Sequence, residues 1–170
     1  MSASEKELEE MVGSPFDGYM NSMESRGIYL SGPIRCVDDD GRNWRNELID
    51  DHPDFHFNNP LDNFDPETHD ILNDPIQLNP DSDKQQVLPS EYVLEDKIMM
   101  SSSDVVFVGL PNEISRGTMM EVMWAYTRNI PVFVWVIDGQ EESGWIYEHA
   151  EFMSENRDEV MNEIRQWLAM

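Results

Sequence analysis

The chain has 170 residues, a length typical of one domain with a substantial core. Its composition is strongly acidic, with 35 Asp and Glu residues against 11 Lys and Arg residues and a formal net charge of -24. Such a chain is poorly suited to bind nucleic acid or an anionic membrane, because both require basic groups that neutralise phosphate. No apolar run is long enough to predict a membrane span.

The expected compartment is the cytoplasm. The first residues, MSASEKELEEMVGS, are acidic and polar, which predicts no secretory signal, and residues 5–11 could form a short helix. The single cysteine, Cys36, allows no internal disulfide. The carboxylate-rich, lysine-poor composition is similar to that of proteins from salt-accumulating halophiles, in which high salt screens the self-repulsion.

The first half of the chain predicts two strands and one helix. Residues 27–33 predict a strand that ends in a Ser-Gly-Pro turn. A helix is expected to begin near Asn43 and to end at Pro53. Residues 55–58 predict a second, weaker strand. The inner face of the helix is predicted to contain Trp44, Leu48 and Ile49.

The middle of the chain contains a long acidic segment without clear periodicity. Residues 59–89 are rich in Pro, Asp and Asn, and loops this long in a compact domain are usually functional covers or flexible segments. We expect this loop to lie over the site. Residues 90–102 then predict a helix capped by Ser90. Its inner face is predicted to consist of Val93, Leu94 and Ile98.

The last part of the chain predicts the centre of the sheet. Residues 104–110 form a nearly continuous apolar run, as a strand buried on both faces requires. The helix that follows is expected to begin near Ser115 and has apolar residues at helical spacing. The remaining predicted elements are a strand over 132–137, a short strand near 150–153 and a helix over 156–168.

Strands that alternate with helices predict a parallel sheet with right-handed crossovers. The fold class is therefore α/β, a flavodoxin-like or Rossmann-like three-layer fold with four to five strands. Residues 1–26 are interpreted as an N-terminal appendage and residues 27–170 as a single domain. The dinucleotide and phosphate-loop fingerprints are absent, and the four histidines lack metal-ligand spacing. No metal or organic cofactor is predicted.

Glu121 is the first candidate for a functional group. It follows the central strand at the start of a helix, and ligands of open α/β sheets bind beyond the carboxyl ends of the strands. A structural interpretation is also open. Residues 118–121 (TMME) have the spacing of a capping box, in which Thr118 and Glu121 satisfy free amide groups at the helix start.

Other polar groups are expected to converge on the same edge. Two carboxylates, a phenol, a hydroxyl and a guanidinium there could form a site for a sugar that carries an anion, since a guanidinium binds phosphate through two parallel hydrogen bonds. The groups concerned are Tyr29, Gly32, Arg35, Asp96, Ser115 and Glu121.

Each of these assignments has a structural alternative. Arg35 and Arg116 could pair with residues 38–40 or with Glu113 instead of with a phosphate. Asp96 lies off the predicted apolar stripe of its helix, so it could be a solvated surface carboxylate.

The order and spacing of these motifs resemble the nucleoside 2-deoxyribosyltransferase family. The resemblance covers roughly residues 27–137 and looks closest to the branch of 2'-deoxynucleoside 5'-monophosphate N-glycosidases. It implies a flavodoxin-like sheet and homo-oligomers, commonly dimers, whose subunits complete each other's sites. The motifs are residues 28–35 (IYLSGPIR), Asp96 eight residues before Asp104, and Ser115-x-Gly117-x-x-x-Glu121 followed by Ala125.

The resemblance also implies roles for individual residues. Glu121 would be the nucleophile at the anomeric carbon, Asp96 the acid/base group facing the nucleobase, and Tyr29 the residue that positions Glu121. The 5'-phosphate would be held by Gly32, Pro33, Ile34, Arg35, Ser115 and Gly117.

The chain departs from the family pattern in two places. Residues 118–120 are bulkier than the small residues often found there, and the insertion at 59–89 could alter which base or sugar is accepted. Ser143 and Trp145 are candidates for groups that a partner subunit contributes. The alternatives to an enzyme are a nucleotide-binding or sensing module without catalysis and a purely structural acidic domain.

Overall fold

The computed structural model describes residues 27–34, 37, 39–65, 67–72, 80–111, 115–138 and 144–169. The proposed N-terminal appendage and its short helix lie outside these residues. Within the described part of the chain, no helix is both long and apolar enough to cross a membrane.

Five parallel strands form the main sheet, and two short strands form a separate parallel pair. The strands are β1 (Gly27–Ser31), β2 (His56–Asn58), β3 (His69–Ile71), β4 (Gln85–Val87), β5 (Val105–Leu110), β6 (Val132–Val136) and β7 (Phe152–Ser154). In the main sheet the order is β2-β1-β5-β6-β7, and β3 pairs with β4. With the small pair left aside, this is the 2-1-3-4-5 strand order of the flavodoxin-like fold. The predicted fold class is therefore confirmed.

Helices cover both faces of the sheet because the central strands are apolar on both faces. Along β5, Val105 and Phe107 point to one face, whereas Val106, Val108 and Leu110 point to the other. The helices are α1 (Arg42–Asp51), α2 (Pro89–Ser101), α3 (Arg116–Thr127), α4 (Gly144–His149) and α5 (Arg157–Ala169). The first face of the sheet packs against α1 and α5, and the second packs against α2, α3 and α4.

The strand order creates a crevice between the carboxyl ends of β1 and β5. After β1 the chain turns to α1 on one face, and after β5 it turns to α3 on the opposite face. Ligands of open α/β sheets bind at such a switch point, because the two connections diverge there. The backbone is closely packed at this edge: a Cβ atom on Gly109 would lie 2.8 Å from Cζ2 of Trp44.

The segment 59–89 is more structured than the sequence predicts. It contains a short 3-10 helix (Pro60–Asp62) in addition to β3 and β4, and Leu61 and Val87 are buried. Strands of three residues are too short to show an alternating pattern, so periodicity could not reveal them. Asp65 accepts a hydrogen bond from Arg42 at the start of α1. That this segment covers the site stays a prediction.

The predicted inner face of α2 is wrong at Val93 and Leu94, whereas Ile98 is half-buried. Val93 is 38% exposed and Leu94 is 57% exposed, whereas Met100 is buried. The side that packs inward runs instead through Asp96 and Met100, which are four residues apart and therefore share one face. The predicted Ser90 cap is also wrong: the helix begins at Pro89. The N–H of Leu88, the residue before the helix, donates a hydrogen bond to the Glu91 carboxylate at 2.7 Å.

Candidate functional site

Glu121 lies at the switch point and points toward β1. Its Oε2 atom accepts a hydrogen bond from the Ser31 hydroxyl at 2.5 Å, and its Oε1 atom accepts one from the Tyr29 hydroxyl at 3.3 Å. The capping-box interpretation of Thr118 and Glu121 is therefore wrong. Ser115 caps α3 instead, and its hydroxyl accepts a hydrogen bond from the Thr118 N–H at 3.0 Å.

Tyr29 and Ser31 reach Glu121 because they occupy alternate positions on β1, and alternate residues of a strand point to the same face. Both residues are fully buried. The role of Ser31 was not anticipated from the sequence, although its spacing from Tyr29 is a signal that could have revealed it. Two hydroxyl groups of one strand thus hold one carboxylate of the helix opposite.

Asp96 faces the same cluster from α2. Its side chain is half-buried, and burial followed by the negative charge of Glu121 raises its pKa to about 7 from an ordinary value of 3.8. Interaction with the Tyr29 hydroxyl and with Arg45 opposes this rise. Asp96 is thus not a fully solvated surface carboxylate. It is half-buried because α2 packs inward through the side that carries Asp96, and this orientation leaves Val93 and Leu94 exposed.

Tyr29 stands between the two carboxylates as a neutral phenol. Burial, followed by the charges of Glu121 and Asp96, raises its pKa well above its ordinary value. The pKa of Glu121 is also raised, because burial outweighs the hydrogen bond from Ser31, the charge of Arg45 and the hydrogen bond from Tyr29. Ionisation of one carboxyl thus opposes ionisation of the other, and the two titrate as a coupled pair.

Arg45 contributes a buried positive charge behind this cluster. Its guanidinium is fully buried on α1 and donates hydrogen bonds to the Gly41 carbonyl at 2.8 Å and to the Gly32 carbonyl at 3.0 Å. Burial lowers its pKa to about 10, against the opposing charges of Glu121 and its neighbours. The sequence analysis did not single out Arg45, although its three-residue spacing from Leu48 places both on the inner side of α1.

The other predicted site residues are distributed around the crevice. Gly32, Pro33 and Ile34 follow β1, and Pro33 is buried. Gly117 lies near the start of α3, where an added Cβ would meet only the Ser115 hydroxyl, at 3.6 Å. The Ser115 hydroxyl is already engaged as the helix cap. Outside the described residues lie Arg35, Glu113 and Ser143.

A cleft of about 260 Å³ opens at the same edge of the sheet, on the side of α1. Pro33, Trp44, Pro111 and Ile137 contribute to its wall, so it extends along the ends of β1, β5 and β6. Glu121, Tyr29 and Asp96 do not line it. Because perturbed carboxylates at the switch point are the stronger sign of chemistry, we place the candidate site at Glu121 and regard the cleft as its neighbour.

This arrangement has the groups that acid/base and nucleophilic chemistry require. It contains one carboxylate held by two hydroxyl groups and a second carboxyl that keeps its proton to about pH 7. Paired carboxyl groups whose environments differ can divide the roles of nucleophile and proton donor. Among the described residues, no cluster of three or more His, Cys, Asp or Glu side chains could hold a metal ion.

Comparisons with known proteins identify the fold. The described architecture is similar to the solved structure of the 2-deoxyribosyltransferase from the psychrotolerant bacterium Bacillus psychrosaccharolyticus. The match has a TM-score of 0.60, covers 80% of this chain and 90% of that chain, and has 16% sequence identity. No family model and no curated protein sequence matches the chain. At this identity the likeness shows the fold alone.

Proposed function

We propose that this protein cleaves or transfers at the N-glycosidic bond of 2'-deoxynucleosides or their 5'-monophosphates, with Glu121 as the nucleophile. The observation that carries the proposal is the arrangement of Glu121 and Asp96 on either side of Tyr29 at the switch point. The solved structure with a similar fold is that of a 2-deoxyribosyltransferase, and it supports the same class of reaction. The sequence motifs that resemble this family supply the same residues.

Glu121 acts at the anomeric carbon of the sugar. Breaking an N-glycosidic bond builds oxocarbenium character on the sugar, which a carboxylate stabilises and then traps as a covalent ester. Ser31 and Tyr29 donate to the two oxygens of Glu121, so the carboxylate is held in one orientation before the substrate arrives. Because they hydrogen-bond to its charged form, they also favour its ionisation.

Asp96 supplies the proton that the departing nucleobase needs. With a pKa raised to about 7, it keeps a substantial protonated fraction at neutral pH and can transfer this proton to a ring nitrogen of the base. The resulting carboxylate then takes a proton from the acceptor that attacks the glycosyl-enzyme ester. If the acceptor is water the protein is a hydrolase, and if it is a second nucleobase the protein is a transferase.

The backbone after β1 and the start of α3 bind the 5' end of the substrate. Gly32, Pro33, Ile34 and Gly117 surround this end, and Arg35 and Ser115 contribute charge and a hydroxyl for a 5'-phosphate. For Ser115 this requires that the hydroxyl be shared with the helix cap that it forms. The reaction needs no cofactor, and the protein acts as a homodimer.

The decisive experiment measures free-base release from a panel of deoxynucleosides and their 5'-monophosphates, with and without a competing base. We expect Glu121→Gln to reduce release by about 1,000-fold or more, as for loss of other catalytic nucleophiles. Glu155→Gln, which removes an exposed carboxylate between β7 and α5, is the matched control and should retain activity. New deoxynucleoside formed from the competing base would distinguish transfer from hydrolysis.

Two outcomes would contradict the proposal. Folded wild-type protein that binds these nucleotides without releasing base would be a binding or sensing module. Folded protein that neither binds nor turns over any of them, shown by the absence of a ligand-dependent thermal shift, would be a structural domain.

A further inference from the structure

Arg45 is a buried charge that has no carboxylate bonded to it among the residues that the structure describes. Its guanidinium is fully buried, stacks over the Trp44 ring at 4.3 Å, and donates to two backbone carbonyls. Burying an ion is costly unless its environment compensates, so a fold retains such a group only where polar contacts and opposite charges offset the cost. The position of these contacts indicates what the charge does.

The two carbonyls belong to opposite ends of one loop. Gly32 immediately follows β1, and Gly41 immediately precedes α1, so the forked guanidinium bridges the two ends of the connection between them. Gly41 adopts a left-handed conformation with φ +69°. An added Cβ at this position would lie 2.3 Å from Nη1 of Arg45, so the loop and the arginine fit together closely.

The charge of Arg45 also acts on the carboxylate cluster. It lowers the pKa of Glu121 and of Asp96, which burial raises. The groups that face Glu121 are Tyr29 and Ser31 from β1, Arg45 from α1 and Asp96 from α2; Asp39 acts on Arg45 from the loop. In this set Arg45 is the positive member, and it opposes the charge of the two carboxylates.

We propose that Arg45 is a positioning residue of the candidate site: it clamps the loop between Gly32 and Gly41 and places a fixed positive charge behind Glu121. It acts through the loop and through Glu121 and does not touch the substrate. This inference rests on the proposed function for its effect on catalysis. Its effect on the Glu121 carboxyl can be measured without catalysis.

The test compares Arg45→Gln, which removes the charge, with Arg45→Lys, which keeps it but lacks the fork. In Arg45→Gln, Glu121 loses a stabilising charge, so the acidic limb of the kcat/KM profile should move to higher pH by on the order of one unit. In Arg45→Lys the acidic limb should stay near that of the wild type, whereas KM rises because one ammonium cannot clamp both carbonyls in the same geometry. Arg42→Gln is the matched control, since Arg42 is on the same helix and bonds to Asp65.

A second readout does not depend on turnover. The Glu121 carboxyl is titrated by carbon NMR in protein labelled at glutamate, with its signal assigned by its loss in Glu121→Gln. We expect Arg45→Gln to move this titration to higher pH, and Arg42→Gln to leave it unchanged. If Arg45→Gln does not fold, Arg45→Lys carries the test: a raised KM with an unmoved Glu121 titration supports the proposal, and an unchanged KM or a displaced Glu121 titration in a folded lysine variant contradicts it.

These readouts separate the two ideas. If the wild type releases base but Arg45→Gln leaves the acidic limb, KM and the Glu121 titration unchanged, the inference about Arg45 is wrong and the proposed function stands. If the wild type releases no base but Arg45→Gln still moves the Glu121 titration, the proposed function is wrong and the charge assigned to Arg45 stands.

Discussion

At the scale of single residues, the site depends on one phenol between two carboxyl groups. Tyr29 is fully buried and its pKa is raised well above its ordinary value, so it is a proton donor at neutral pH. Glu121 accepts from Tyr29 and from Ser31, whereas the pKa of Asp96 is raised to about 7 by burial and by Glu121. The hydrogen bonds from Ser31 and Tyr29 favour ionisation at Glu121, whereas burial raises the pKa of both carboxyl groups.

Asp96 should control the alkaline side of the activity profile. Its protonated form donates to the leaving base, so kcat/KM should fall as pH rises above about 7. Asp96→Asn cannot donate, and we expect its base release to fall by about 100 to 1,000-fold and to lose this alkaline limb. The measurement is kcat/KM between about pH 5 and about pH 9, a range that extends to both sides of the expected Asp96 titration.

A substrate with a cationic leaving base provides the control. The base of 7-methyl-2'-deoxyguanosine leaves without protonation, so Asp96→Asn should be impaired far less with it than with deoxyguanosine. An equal loss with both substrates would show that Asp96 acts on something other than the leaving base.

The raised pKa of Asp96 also predicts how the free energy of unfolding changes with pH. The folded chain binds the Asp96 proton more tightly than the unfolded chain, because the folded pKa of about 7 exceeds the ordinary value of 3.8. The free energy of unfolding should therefore decrease as pH rises from 3.8 to about 7. Thermal unfolding of Asp96→Asn should lack this component.

At the scale of secondary-structure elements, the sequence predicts the positions of strands that are continuous apolar runs. It does not predict which face of a helix packs inward, because that depends on tertiary packing. The central strands β5 and β6 are continuous apolar runs, and their positions were predicted to within one residue at each end. The face of α2 was predicted incorrectly, because Val93 and Leu94 have the same helical spacing whether they pack against the sheet or against another surface.

The exposed apolar residues share one layer. Six of the seven exposed large hydrophobic side chains in the described part of the chain lie on α2, α3 and α4, and none of these helices is on the other face. These six side chains are Val93, Leu94, Met120, Tyr126, Trp145 and Tyr147. Exposed apolar surface of this kind marks interaction sites.

We predict that this layer is the homodimer interface. Leu94→Asp should place an unpaired charge in the interface and shift the protein to monomer, as measured by size-exclusion chromatography with light scattering. Gln166→Glu adds the same charge to an exposed position of α5, on the opposite face, and should leave the mass unchanged. A monomeric wild type, or an unchanged mass in folded Leu94→Asp, would contradict this assignment.

At the scale of the whole molecule, the fold class was predictable, whereas two of the five residues in the cluster around Glu121 were not predicted. Alternating strands and helices predict a parallel sheet whose strands all end at one edge, so Tyr29 and Glu121 were identifiable as candidates there, whereas the strand order came from the structure. Ser31 and Arg45 were missed, because a serine and an arginine are ordinary surface residues until the fold buries them. Their spacing from Tyr29 and from Leu48 indicates only the face on which each residue lies, whereas their contacts depend on the tertiary structure.

The net charge of -24 is the property of the whole molecule with the largest expected effect on stability. The described ion pairs are few and lie at the surface, between Arg42 and Asp65, between Arg157 and both Glu47 and Asp51, and between Arg165 and Asp54. Each such pair contributes about 0–1 kcal/mol, and salt weakens it. Salt also screens the repulsion among the excess carboxylates, which act at many positions at once.

Screening should therefore stabilise this protein on balance. We expect Tm to rise by about 6–12 °C when KCl is increased from about 0.1 M to about 2 M. For a chain of this size, such a rise corresponds to about 3 kcal/mol of relieved charge repulsion. The measurement is thermal unfolding followed by circular dichroism, with sucrose at equal osmolality as the uncharged control. KCl should stabilise the fold far more than sucrose, since only the salt screens charge. A Tm that does not rise with KCl, or that rises equally with sucrose, would show that carboxylate repulsion does not limit stability and that the halophile-like composition has another origin.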